Sequence, residues 1–242
     1  MISNLPKFYG RRKGRTIHKA KSFLLDNFLP LISLDTTKNI DLPSCFKTAK
    51  KEYCLEIGFG DGEHLSALAL SNPQIGYVGV EVYKNGVANL LSLITGIKDG
   101  NADDLSLPIK LAPSREDNIR IYADDVRLLF ASLPNGVFSK IYLLFPDPWP
   151  KTKHAGRRFV NPENLEQLAR LLKKGGILQI ATDHPIYKRW TLETMRFNKN
   201  FRWTATCSDD WRNPPSDWHE TKYQRKAIRE GRRPVFFEFE RI

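Results

Sequence analysis

Leu55-Glu56-Ile57-Gly58-Phe59-Gly60-Asp61-Gly62 follows the apolar pair Tyr53-Cys54 and leads into Glu63–Leu70, a stretch with helical character that stops at Asn72-Pro73. A buried strand, a glycine turn and a helix in that order open a parallel α/β sheet. Glycines in such a turn let the backbone reverse tightly and approach a ligand closely. A dinucleotide site would need a third glycine three places after Gly60, where the chain has Glu63. Glu56, Asp61 and Glu63 also crowd the turn with negative charge, which repels a pyrophosphate even where a helix N-terminus would welcome one.

The alternation continues outward from this turn. Tyr77–Val82 reads as the second strand and Asn85–Ile97 as a helix with Val87, Leu90, Leu91 and Ile94 on one face. Residues 99–118 are polar, with Gly100, Pro108 and Pro113, and read as a long surface loop. Ile119–Ala123 is the third strand and Val126–Leu133 its helix. Ser139–Phe145 is the fourth strand, and Asn161-Pro162 caps a helix running to about Lys173, where Lys174-Gly175-Gly176 ends it. Ile177–Ala181, Arg202–Thr206 and Val235–Arg241 are the remaining strands, the last forming an antiparallel pair with its neighbour, and Pro185–Asn198 is a helix. The organisation expected is a basic N-terminal arm with short helices (1–50) followed by one α/β domain (51–242).

The acids at the strand ends define the ligand. The second strand ends in Gly79-Val80-Glu81-Val82, and Glu81 lies about 25 residues beyond Glu56, close to the spacing at which an acid meets ribose hydroxyls. Asp124 follows the third strand, where a carboxylate can accept the exocyclic amine of adenine or can serve as a helix N-cap. The turn tolerates a cation and disfavours a phosphate. S-adenosylmethionine, with a sulfonium, an ammonium and no phosphate, fits Glu56, Gly58, Gly60, Glu81 and Asp124 together.

Phe145-Pro146-Asp147-Pro148-Trp149-Pro150-Lys151 ends the fourth strand. It places a carboxylate between prolines, with an indole and a lysine behind it, where a parallel sheet opens. A stiffly held carboxylate and ring suit a flat, hydrogen-bonding substrate such as a nucleobase; a proline-rich turn over a buried strand is the plain alternative. Trp149 either stacks on the base or covers the core beneath the turn.

The chain has 242 residues, 41% of them apolar, enough for one well-cored domain. It carries 38 Lys and Arg against 27 Asp and Glu, a net charge of +11, which favours a polyanionic partner. The charge is clustered: Lys7 to Lys21 before the first acid, then Lys151, Lys153, His154, Arg157 and Arg158, then Lys222 to Arg233. No run reaches the roughly 18 apolar residues of a membrane span. The three cysteines lack metal spacing, so a reduced, cytoplasmic protein without structural metal is expected.

With Leu55–Gly60, Gly79-Val80-Glu81, Phe145–Lys151, Ala181-Thr182-Asp183 and Thr221-Lys222-Tyr223 in this order, the chain resembles the bacterial tRNA (guanine-N7-)-methyltransferases from about residue 50 to the C-terminus. The resemblance implies a Rossmann-like class I methyltransferase fold: a mostly parallel seven-stranded sheet with helices on both faces and an antiparallel C-terminal strand. It implies methyl transfer from S-adenosylmethionine to N7 of guanosine 46 in the variable loop of tRNA. Glu56, Glu81 and Asp124 match cofactor contacts, and Asp147 matches the residue assigned to catalysis and to the cofactor side of the pocket. Lys151 and Asp183 match substrate contacts. Thr221, Lys222, Tyr223 and Gln224 match a substrate-binding tetrad, and the stretch holding Lys153, His154, Arg157 and Arg158 matches an RNA-contacting segment. Gln224 stands where the family usually has Glu, the loop at 99–118 is longer than usual, and Asp124 is adjacent to a second acid, Asp125, which leaves the alignment open by one residue.

Asp183 has a plain alternative as the cap of the helix beginning near Pro185. Lys151 contacts phosphate or base, or is simply solvated. The expected partner is tRNA, with no membrane and no DNA, and the protein a monomer or homodimer. An amino-group methyltransferase acting on adenine or cytosine is the nearest rival, although its Asp/Asn-Pro-Pro-aromatic spacing differs from Pro146-Asp147-Pro148-Trp149. A catalytically silent RNA-binding module is the other. A dehydrogenase is disfavoured by the acidic turn.

Overall fold

A computed structural model of the chain describes residues 7–98, 105 and 107–242. The chain divides into two compact units, one running to Leu133 and the other from Pro134 to Ile242. The first begins with α1 (Lys19–Asn27) and α2 (Leu29–Ile32), then alternates β1 (Glu52–Ile57), α3 (Glu63–Ser71), β2 (Ile75–Val80), α4 (Lys84–Thr95), β3 (Ile119–Tyr122) and α5 (Val126–Leu129). β1 pairs in parallel with β2, and β2 with β3. After its first residue each of β1 and β2 is buried throughout, which is why both read as nearly continuous apolar runs rather than alternating ones. α1 packs on α4, and Leu34 donates its backbone N–H to Ile121 at 2.9 Å, so the N-terminal segment covers the edge of β3.

The second unit holds β4 (Phe138–Leu144), α6 (Pro162–Leu171), β5 (Leu172–Thr182), α7 (Pro185–Arg196), β6 (Phe201–Trp203), α8 (Asp209–Arg212), α9 (Lys222–Arg229) and β7 (Val235–Arg241). β4 and β5 are parallel; β7 is antiparallel to both β5 and β6. The sheet is seven-stranded and mostly parallel, in the order β3-β2-β1-β4-β5-β7-β6. Phe236, Phe237 and Phe239 are buried on β7, and Leu178 and Ile180 on β5.

The expected elements are present with shifted ends. Asn161 caps α6 by accepting from the Asn164 N–H at 2.9 Å, with Pro162 at the first helical position, as its sequence predicts. The helix ends at Leu171, two residues early, because Leu172 is drawn into pairing with Phe138. The register then jumps to Lys140 against Ile177, so Lys173–Gly176 bulge out and the Gly pair lies inside β5 instead of beyond a helix. The expected helix at 126–133 breaks after Leu129 into a 3-10 turn. α8 and α9 were not expected from the sequence. Of the long loop, residues 99–104 and 106 lie outside the described residues, and 107–118 carry neither helix nor strand. Among the described residues no helix is long and apolar enough to cross a membrane.

Candidate active site

In the first unit, hydrogen bonds tie the strand ends together. Gly58 donates to Val80 O at 2.8 Å and Glu81 donates to Tyr122 O at 3.2 Å, which sets the C-terminal ends of β1, β2 and β3 side by side. Glu81 is a brace: one carboxylate oxygen accepts from the Gly60 N–H at 2.7 Å and the other from the Tyr83 N–H at 2.8 Å. Gly58 has φ +71°, and a Cβ added there would meet nothing within 4 Å. The turn is therefore open where a side chain would otherwise stand. Gly86 at the start of α4 is needed for the opposite reason, since a Cβ there would come within 2.1 Å of Gly60 O.

Glu56 is buried and accepts from His64 on α3, with 2.9 Å between Oε2 and the imidazole Nδ1. A carboxylate only accepts, so Nδ1 carries the proton. The two adjacent aspartates separate cleanly. Asp125 is the helix cap, accepting from the Arg127 N–H at 3.0 Å and pairing with that guanidinium. Asp124 remains accessible, bonded at 2.8 Å to Arg12 Nη1 of the basic arm. The arm is fastened on the same rim, with Gly14 donating to Asn85 Oδ1 at 3.0 Å and Asn85 donating to Arg15 O at 2.8 Å.

In the second unit, β4 runs into Phe145–Lys151. Phe145 (φ 50°) and Trp149 (φ 41°) both adopt the left-handed region, bracketing Pro146-Asp147-Pro148. For residues with a Cβ each such conformation costs about 1–3 kcal/mol and persists only where its surroundings enforce it. Asp147 is an exposed residue. Desolvation by the surrounding protein nonetheless pushes its carboxyl pKa up. Arg157 lies over the Trp149 ring at 5.0 Å and His154 meets its edge at 5.7 Å. Desolvation first, then the charges of Arg157 and Lys151, hold the His154 imidazole below its ordinary range. Lys151 and Lys153 are exposed, whereas Arg158 is buried.

Asp183 does not cap α7. His184 does, accepting from the Ile186 N–H at 3.3 Å, while Asp183 is paired at 2.6 Å with Arg232. Thr221 caps α9 by accepting from the Gln224 N–H at 3.0 Å. Thr-x-x-Gln is the pattern of a capping box, in which the fourth side chain would reach back to the first residue's N–H. Here Gln224 Oε1 instead accepts from the Trp218 indole at 2.5 Å. Thr221 and Gln224 are thus buried braces. Tyr223 faces outward and stacks on Phe145 with centroids 6.4 Å apart, and Lys222 Nζ lies 5.2 Å from the Tyr223 ring, so this pair stands beside the Asp147 turn.

A family described as "Putative methyltransferase" matches residues 50–236. The tRNA (guanine-N(7)-)-methyltransferase of Rhodospirillum rubrum is 40% identical, covering 97% of this chain and 88% of its own length. That of Ruegeria pomeroyi is 43% identical, covering 97% and 94%. The chain belongs to the tRNA (guanine-N(7)-)-methyltransferase family. A solved structure of an antibiotic-related methyltransferase shares the fold, with a TM-score of 0.51 at 16% identity, over 86% of this chain and 99% of that one.

Membership in this methyltransferase family makes S-adenosylmethionine the methyl donor. The open space at Gly58, beside a turn braced by the Glu81 carboxylate, fits an adenosyl group in the first unit. The partner of Gln224 Oε1 is a neutral indole N–H, which an amide oxygen satisfies. Sequence reasoning missed His64, Trp218 and Arg232, all of which act through another side chain. Only His64 left a usable trace, a histidine in the first turn of the helix after the glycine loop.

Proposed function

We propose that this chain transfers the methyl group of S-adenosylmethionine to N7 of guanosine 46 in the variable loop of tRNA. Guanine N7 has an in-plane lone pair and no proton, so its attack requires alignment and dry surroundings rather than a general base. Positioning of this kind contributes about 7–11 kcal/mol in favourable cases. The donor supplies an electrophilic methyl on a sulfonium. The chain's part is to hold both reactants. Glu56, Gly58, Gly60, Glu81 and Asp124 bind the donor in the first unit, with Glu81 toward the ribose and Asp124 toward adenine. In the second unit Asp147 accepts from guanine N1–H and the exocyclic amine, which aims N7. Its charge also favours the cation that the purine becomes. Lys222, Tyr223, Lys151 and Asp183 surround the base and its sugar, and Thr221 and Gln224 hold the helix that presents the first two.

The observation that carries this reading is the Asp147 turn: an accessible carboxylate fixed between left-handed residues, with its pKa raised. Residues 51–242 form the methyltransferase domain and residues 1–50 its basic arm. The arm and the Lys151–Arg157 segment contact the phosphate backbone, so affinity falls steeply with salt. The target base leaves its stack to enter the site. The protein acts in the cytoplasm, as a monomer or homodimer.

The test incubates the protein with labelled S-adenosylmethionine and unmodified tRNA and identifies the product by nucleoside mass spectrometry. 7-Methylguanosine at the variable-loop position is expected. A methylated adenine or cytosine amino group would overturn the reading in favour of the amino-group enzymes.

A further inference from the structure

Arg158 belongs by sequence to a run of basic residues, Lys153, His154, Arg157 and Arg158, that resembles an RNA-contacting segment. Its side chain does something else. Arg158 is 6% exposed, while Lys151 and Lys153 lie open to solvent. Its Nε donates to Pro148 O at 3.1 Å and its Nη2 to Trp149 O at 3.0 Å. The guanidinium lies 4.5 Å from the ring of Trp190 on α7. That ring is itself fixed, since its indole N–H donates to Val160 O at 2.6 Å.

We propose that Arg158 is a positioning residue: it clamps the rear of the Phe145–Trp149 turn and so sets the direction in which Asp147 points. The front of the turn is anchored by the Phe145 N–H on Ala181 O at 2.8 Å. The rear leaves through Trp149 in a left-handed conformation that a bulky residue does not adopt unaided. The carbonyls that Arg158 holds are those of the two residues directly after Asp147. A guanidinium presents several N–H groups in a rigid fork and spans two neighbouring carbonyls; a lysine ammonium cannot reproduce that geometry. At 6% exposure the guanidinium is also shut off from a phosphate outside. The assignment rests on the role of Asp147 proposed above.

The test compares Arg158→Ala, Arg158→Lys, Arg157→Ala and Asp147→Ala in the full chain, using S-adenosylmethionine and unmodified tRNA. Arg158→Ala should lower kcat by about a hundred-fold, the loss expected from displacing a reacting group by about 1 Å. Its tRNA affinity and the salt dependence of that affinity should stay at the parent's values. Millimolar guanidinium should restore part of the lost turnover by filling the vacated slot. Arg157→Ala should show the opposite split: weaker tRNA binding, a salt slope smaller by about one, and no rescue. Unchanged kcat in Arg158→Ala, with weakened and less salt-sensitive tRNA binding, would make Arg158 an RNA contact and overturn the proposal. If the melting curve shows that Arg158→Ala does not fold, Arg158→Lys decides: full kcat there overturns the clamp. Retained turnover in Asp147→Ala would remove the reading beneath it, a separate outcome.

Discussion

Replacing His64 with Leu should destabilise the fold through Glu56. Both side chains are 2% exposed, and the Nδ1–Oε2 distance is 2.9 Å. His64→Leu keeps an apolar group of similar size on α3 and removes the proton that Glu56 accepts. Removing the hydrogen-bonded partner of a buried carboxylate costs about 3–5 kcal/mol, because the charge is left uncompensated and without water. In a chain of this length each kcal/mol moves the melting temperature by about 2–4 °C, so a fall of about 6–20 °C is expected. Glu56→Gln added to His64→Leu removes the stranded charge and should recover most of the fall. Differential scanning calorimetry of both single variants and the double variant, at one neutral pH without ligand, measures all three. A His64→Leu melting temperature within about 2 °C of the parent would refute the argument, since it corresponds to less than about 1 kcal/mol. So would a double variant no more stable than His64→Leu.

Asp147→Asn should abolish turnover, leave tRNA affinity intact and keep or raise the melting temperature. The sign follows from desolvation by the neighbouring protein: the folded-state pKa lies above the unfolded one, so ionisation at neutral pH costs the folded state stability, and removing the charge relieves that cost. A lowered melting temperature at neutral pH would contradict this, and parent turnover should decline with falling pH at values above the ordinary carboxylate range. Gly86→Ala would press a Cβ against Gly60 O, overpacking that typically costs about 1–3 kcal/mol. Calorimetric titration should show donor affinity down about tenfold, equivalent to about 1.4 kcal/mol, with tRNA binding unchanged. Trp218→Phe leaves Gln224 Oε1 without its indole donor and should cost about 1–3 kcal/mol in thermal unfolding. Gln224→Glu keeps the acceptor and should turn over at the parent rate in the same assay.

The strand–turn–helix units from Glu52 to Leu144 were readable because their signals are local. Apolar runs, glycine turns and Asn-Pro caps need no knowledge of distant neighbours. The start of β5 was not readable, because its departure from the helix pattern is imposed by Phe138, far away in sequence. α9 escaped notice because basic residues dominate it; its buried positions are Gln224 and Ala227, and its start looks like a ligand motif as much as a cap. At the site the residue types were legible and their division of labour was not. Nothing local distinguishes Asp124 from Asp125, or Arg157 from Arg158. In the fold Asp125 pairs with Arg127 and Asp124 with Arg12, while Arg158 lies over Trp190 and Arg157 over Trp149.

β7 lies between β5 and β6, pairing Val235 with Thr182 and Arg241 with Phe201. An inner strand drawn from the far end of the chain imposes an order on biogenesis. While the ribosome is still translating codons before residue 235, β5 has an open edge and the aromatic layer of Phe236, Phe237 and Phe239 does not yet exist. The strand–turn–helix units before Leu133 can collapse vectorially as they emerge, whereas the part bearing Asp147 must wait for its closing strand. During that interval the unpaired edge is exposed to aggregation, and nascent-chain quality control would meet this protein there.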